Sequence, residues 1–71
     1  MMIKYVIYFQ SKIESNNFGY FYRNRKEGFT SVFNPERAKK FKHEDNAFAQ
    51  LKLLQEKEGE YYDFEIKEIY E

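Results

Sequence analysis

The chain reads as an α+β domain of two layers, one long helix packed on a four-stranded mixed sheet in the order β-β-β-short helix-α-β. Three observations predict this. Ile3, Tyr5, Ile7 and Phe9 alternate with Lys4, Val6, Tyr8 and Gln10, the period of a strand rich in β-branched and aromatic residues. Residues 44–58 are the only stretch with the spacing of a long helix, with Ala47, Phe48, Leu51 and Leu54 on one stripe. A last alternating run sets Tyr62, Phe64 and Ile66 against Asp63, Glu65 and Lys67. One helix can cover one face of such a sheet, so the other face is expected to be open.

Taken in order, the first strand spans 3–9, and its two partly apolar faces suit a central position. Residues 11–17 are polar, and Asn16 and Asn17 suit a turn before a second strand over 18–23. The charged turn 24–28 ends in Gly28, and a third short strand follows over 29–33. Asn34-Pro35-Glu36 then marks a helical turn, because Asn caps a helix and Pro at its first position lacks only an N–H that would be unpaired anyway. That turn is expected to run to Lys40, with Phe41 seating it on the core.

The main helix is expected from Glu44 to Glu58, capped by His43 or Asp45, with acidic residues in its first turn and Gly59 in a left-handed C-cap. The last strand covers 61–70. If three strands alternate in direction and the helix crosses back over the sheet, the last strand lies parallel to the first, in the spatial order 3-2-1-4 with a right-handed crossover. The expected core is Ile3 or Tyr5, Ile7, Phe9, Phe41, Phe48, Leu51, Leu54, Phe64 and Ile66.

At 71 residues this is one domain, 1–71, and a domain so small buries only about 60% of its unfolded surface. The chain has no cysteine, hence no disulfide and no thiolate chemistry. No stretch approaches the roughly 20 apolar residues that span a bilayer, and the first residues lack the apolar core of a signal peptide. A soluble, cytoplasmic protein is the expectation, with no membrane contact.

Formal net charge is zero, yet the charges are segregated. Residues 1–43 carry nine Lys and Arg against three Glu, whereas residues 44–71 carry three Lys against nine Asp and Glu. Such a division suits a basic surface for an anionic partner, an acidic surface for a basic one, or two halves that neutralise each other in the fold.

A catalytic constellation is not legible. His43 is the single histidine and has no second His or Cys to share a metal; Ser11, Ser15 and Ser31 lie in no nucleophile elbow; Gly19, Gly28 and Gly59 are too scattered for a phosphate-binding loop. Glu56, Glu58, Glu60 and Asp63 cluster without the spacing of a calcium loop. No catalytic residue, metal or cofactor is therefore expected.

Seven Tyr and eight Phe are the stronger signal, since one helix leaves rings among Tyr8, Tyr20, Tyr22, Tyr61 and Tyr62 to line the open face. Such a face suits cross-strand packing, a protein interface or the stacking of bases. Arg23, Arg25 and Lys26 of the second turn, with Arg37, Lys39, Lys40 and Lys42 of the short helical segment, can meet beside it as a basic patch. The candidate partner-binding residues are accordingly Tyr20, Tyr22, Arg23, Arg25, Lys26, Arg37, Lys39 and Lys40. The function they suggest is a small non-enzymatic module for protein-protein interaction, self-associating as a homodimer through the open face or an edge strand. The alternative is a single-stranded nucleic-acid-binding protein that uses the basic, aromatic sheet face.

The run Gly28-Phe29-Thr30-Ser31, then Asn34-Pro35-Glu36-Arg37-Ala38-Lys39-Lys40-Phe41, followed by the Ala47 to Leu54 helix and a Tyr/Phe/Ile strand, resembles short proteins of phages and mobile elements in low-GC Gram-positive bacteria. The resemblance covers about half the chain. It implies host-directed binding, including antagonism of a defence nuclease, and carries no catalytic residues.

Overall fold

The computed structural model describes residues 2–71. Four strands, β1 (Ile3–Ser11), β2 (Phe18–Asn24), β3 (Phe29–Val32) and β4 (Tyr62–Tyr70), form one sheet in the order β3-β2-β1-β4. A 3-10 turn, η1 (Pro35–Arg37), and one helix, α1 (Glu44–Glu58), lie between β3 and β4. The α+β class, the single long helix and the strand order are those expected from the sequence.

The sheet is antiparallel throughout, not mixed. β4 pairs with β1 from Ile3 opposite Tyr70 to Ser11 opposite Tyr62, the reverse of the parallel pairing expected. The cause is the segment after η1. Tyr5 and Phe41 donate their N–H groups to each other's carbonyls (2.9 and 2.8 Å) in an antiparallel bridge, so the chain runs back along β1 before the helix begins. The helix therefore climbs in the direction of β1. At its end the Lys12 N–H donates to the Tyr61 carbonyl (2.9 Å), and β4 has to descend.

Residues 38–41 occupy the space where β2 leaves β1. The two strands pair only from Tyr8 to Gln10, and beyond them the Lys39 N–H donates to the Phe21 carbonyl (3.0 Å). β2 then bends at a bulge: Phe21 faces Ser31, Arg23 faces Thr30, and Tyr22 is the extra residue. Bulges sharpen twist and re-aim side chains. Here the bend carries the hairpin tip to the flank of α1, where Asn24 and Gln50 exchange amide hydrogen bonds of 3.1 and 3.0 Å.

The core lies between α1, the sheet and this curled hairpin. Ile7, Phe9, Phe21, Leu51, Leu54 and Phe64 form its buried cluster, with Phe29, Phe41, Tyr62 and Ile66 packed against it. Phe29, half-buried, bridges several of these rings, its own lying 5.1 Å from that of Phe9, 5.6 Å from Tyr62, 5.8 Å from Phe64 and 6.2 Å from Phe21. Edge-to-face contacts of this kind add to the burial of large rings.

Two expected core members lie outside it. Phe48 is 49% exposed, because the buried stripe of α1 is Ala47, Leu51 and Leu54, and Phe48 stands 100° round the helix from Ala47, with the Lys52 ammonium 5.1 Å from its ring centre. Ile3 is exposed at the start of β1, leaving half-buried Tyr5 as the partner of Phe41. Phe21 and Val6 are buried instead, Val6 on the face opposite Ile7.

The cap of η1 follows local chemistry, and both ends of α1 depart from it. The Asn34 side chain accepts the Glu36 N–H (2.9 Å) above Pro35, as expected, although the turn ends at Arg37 and not Lys40. His43 precedes α1 in extended conformation, without a side-chain capping bond. Gly59 is right-handed, with φ −63° and ψ −21°, where a left-handed cap was expected. Its N–H stays on the Gln55 carbonyl (3.0 Å), while the Lys12 ammonium donates to the Gly59 carbonyl (2.8 Å), a cation satisfying the negative end of the helix. The left-handed glycine is Gly28, φ 86°, in the hairpin turn.

Candidate functional site

The face of the sheet away from α1 divides into two fields. Register places Lys4, Val6, Tyr8 and Gln10 of β1 beside Ile69, Lys67, Glu65 and Asp63 of β4 on one side. Tyr20 and Phe18 of β2 lie on the other, with Val32 of β3 opposite Tyr20. Tyr8 and Tyr20 meet edge to face at 5.5 Å, and the Lys67 ammonium sits 4.3 Å from the centre of the Tyr8 ring. Further out, Phe33 sets its ring 6.1 Å from Phe18, and the two are 77% and 43% exposed.

Of the tyrosines expected here, Tyr8 and Tyr20 are on this face and half-buried. Tyr62 is not, since its ring packs on Phe9 (5.4 Å) in the core, and Tyr61 is exposed in the turn before β4. Phe18 and Phe33 are the members that composition did not single out. Their signal was positional, because Phe18 shares the two-residue period of Tyr20, and Phe33 follows a strand too short to turn it inward.

The candidate basic residues divide as well. Tyr22, Arg23 and Lys39 line one hollow of about 360 Å³, together with Phe41 and the Asn24 and Gln50 amides. The Arg23 guanidinium stands 5.0 Å from the centre of the Tyr22 ring, and the Lys39 ammonium 5.9 Å from that of Phe41. Arg25 and Lys26 are exposed in the hairpin turn, and Arg37 is exposed on η1. Lys40 is occupied elsewhere: its ammonium donates to the Glu71 carboxylate at 2.8 Å.

That contact is one of three ion pairs among the described residues, with Lys12 to Asp63 at 3.7 Å and Lys67 to Glu65 at 3.6 Å. All three lie on β4 or the residue after it. Among the described residues, Arg23, Arg25, Lys26, Arg37 and Lys39 have no carboxylate within 4.0 Å. The uneven charge of the sequence is therefore not cancelled at the β2–β3 end of the fold.

Two ionisable groups at the β4 end are displaced. The hydrogen bond from Lys40 holds the Glu71 carboxyl below the usual carboxylate range. The Tyr70 hydroxyl donates to the Glu68 carboxylate (3.0 Å), which raises its pKa by favouring the protonated phenol. Both are exposed and stand apart from the hollow.

His43 is exposed at the start of α1. Among the described residues no three His, Cys, Asp or Glu side chains gather where a metal ion could be held. No helix is long and apolar enough to cross a membrane. Comparisons of the chain with protein-family models, curated proteins and solved structures find no match.

Proposed function

We propose that the chain is a small non-enzymatic binding module that docks a protein partner on the aromatic face of β2 and β3. The observation that carries this is the exposed Phe18 and Phe33 pair, continuous with Tyr20 and Val32. Solvent-facing rings in contact with each other are what interface cores are made of. On the resemblance carried by the Gly28 to Phe41 run, the partner is a host protein, with a defence nuclease among the targets; the cysteine-free composition suits a cytoplasmic setting. The test compares capture from a host lysate by the wild type and by Phe33→Ser and Tyr20→Ser, each checked for unchanged melting. A protein retained by the wild type and lost by both variants is expected; equal capture by all three moves the partner off this face.

The same face suits a two-fold homodimer, in which one patch is buried twice. Ring burial holds such a contact whatever the salt, while attraction between the basic first half of one copy and the acidic second half of the other weakens as salt screens it. Sedimentation at tens of micromolar, at low and high salt, checks this. A single species of 8.8 kDa in both excludes the dimer.

A second reading, binding of single-stranded nucleic acid, is favoured by the rings that carry Arg23 and Lys39. Affinity for a labelled oligonucleotide would then fall steeply with salt as phosphates exchange counterions for protein cations. No binding at low or moderate salt removes it.

A further inference from the structure

We infer that the hollow between the β2 bulge, the 38–41 connector and α1 is a binding site for a nucleotide, either free or as one residue of a single strand. It lies at the helix flank, apart from the Phe18 and Phe33 patch, and does not rest on protein docking there.

Size and charge come first. A volume of about 360 Å³ lies within the range of small-ligand sites, roughly 300 to 1,000 Å³. The hollow holds two cations that no carboxylate within 4.0 Å neutralises, among the described residues. Each is braced on a ring, Arg23 on Tyr22 and Lys39 on Phe41, which restricts its motion without satisfying its charge. Two pre-positioned donors facing one concavity suit a phosphate group.

The remaining lining suits a base. Tyr22 is 40% exposed because the bulge turns it out of the strand alternation, and its ring offers a surface for stacking. The Asn24 and Gln50 amides donate to each other through one N–H each. Each keeps a second N–H and a carbonyl lone pair, the complement of the donor and acceptor edge of a base.

A larger hollow of about 520 Å³ lies at the other end of α1, and its chemistry is opposite. It is lined by Glu60 and Asp63, and its cation, Lys12, already donates to the Gly59 carbonyl and pairs with Asp63. Volume favours that hollow and charge excludes it for a phosphate.

The test is calorimetric titration with the four nucleoside 5′-monophosphates, the matching nucleosides, inorganic phosphate and a short single-stranded oligonucleotide. At least one monophosphate is expected to bind about tenfold or more tightly than its nucleoside and than phosphate, since phosphate and base contacts each contribute on the order of one such factor. Arg23→Gln with Lys39→Gln should abolish that binding, and Tyr22→Leu should weaken it. All three positions are exposed, and unchanged melting separates loss of binding from loss of fold. If only the oligonucleotide binds and the double variant abolishes it, the site serves a strand; if the variant leaves it intact, the site is not here. Equal affinity for phosphate and every monophosphate overturns base recognition, and absence of any binding overturns the site. Because the protein patch is tested by Phe33→Ser, either reading can fail alone.

Discussion

The two ends of the sheet are built from the same residue types and put them to opposite uses. At the β4 end, charged and apolar or aromatic residues share nine positions, each ion pair among the described residues is found there, the half-buried Tyr8 ring carries a cation, and the exposed Tyr70 hydroxyl donates to a carboxylate. At the β2–β3 end the strands are short and bent, the exposed rings of Phe18 and Phe33 pack on each other, and the cations are unpaired among the described residues. Charged side chains along an edge strand are also how an exposed sheet edge avoids unwanted pairing. Net neutrality therefore says little here: among the described residues the ion pairs gather at one end of the sheet and the cations of the other end have none.

Several substitutions break or sharpen that contrast. Phe29 ties the hairpin to β1 and β4, so Phe29→Ala should cost roughly 3 kcal/mol, the scale of losing a large ring from a core. Denaturant unfolding measures it. A cost near zero would mean that the curled hairpin contributes nothing to holding the two ends together.

Gly19 comes next. A methyl group there would meet the Val32 carbonyl oxygen at 2.9 Å and the Phe9 ring at 3.3 Å, so the neighbours would have to move. Gly19→Ala should cost about 1 to 3 kcal/mol through overpacking and should shift β3 relative to β2. Amide chemical shifts confined to these strands, with β4 unmoved, would sharpen the view that the ends respond separately.

The smallest effect belongs to the β4 end. Because the folded carboxyl of Glu71 titrates below its unfolded value, its pair with Lys40 stabilises above the unfolded value and is lost as pH falls through the folded one. Lys40→Ala should therefore remove a slight acid-side loss of stability and leave neutral binding at the other end unchanged. Melting scans from neutral to acid pH check the first part. An exposed pair is worth little, so a large effect would show that this end is held by its charges after all.

Local patterns determined most of the architecture. Alternation marked β1 and β4, and the turns at Asn16-Asn17 and Gly28 bounded β2 and β3, each within about two residues, while Asn34-Pro35 fixed where η1 starts. The helix from Glu44 to Glu58 was legible from its stripe, though a stripe one residue too wide admitted Phe48, since periodicity does not say which flank meets the sheet. Charge division and aromatic surplus were likewise properties of the chain.

Direction and convergence were decided only by tertiary structure. Residues 38–41 show no alternation, yet their bridge to Tyr5 reverses the chain before α1 and makes β4 antiparallel. Their backbone groups find partners only because β2 diverges from β1, a consequence of twist and of the Tyr22 bulge that no single segment encodes. The same bend brings Arg23 and Lys39, sixteen positions apart in the sequence, to one hollow, while Lys40 beside them turns to Glu71 at the far end of the chain. Residue type set the charge of each side chain; packing set which charges found partners, because a cation is neutralised only where the backbone places a carboxylate within reach.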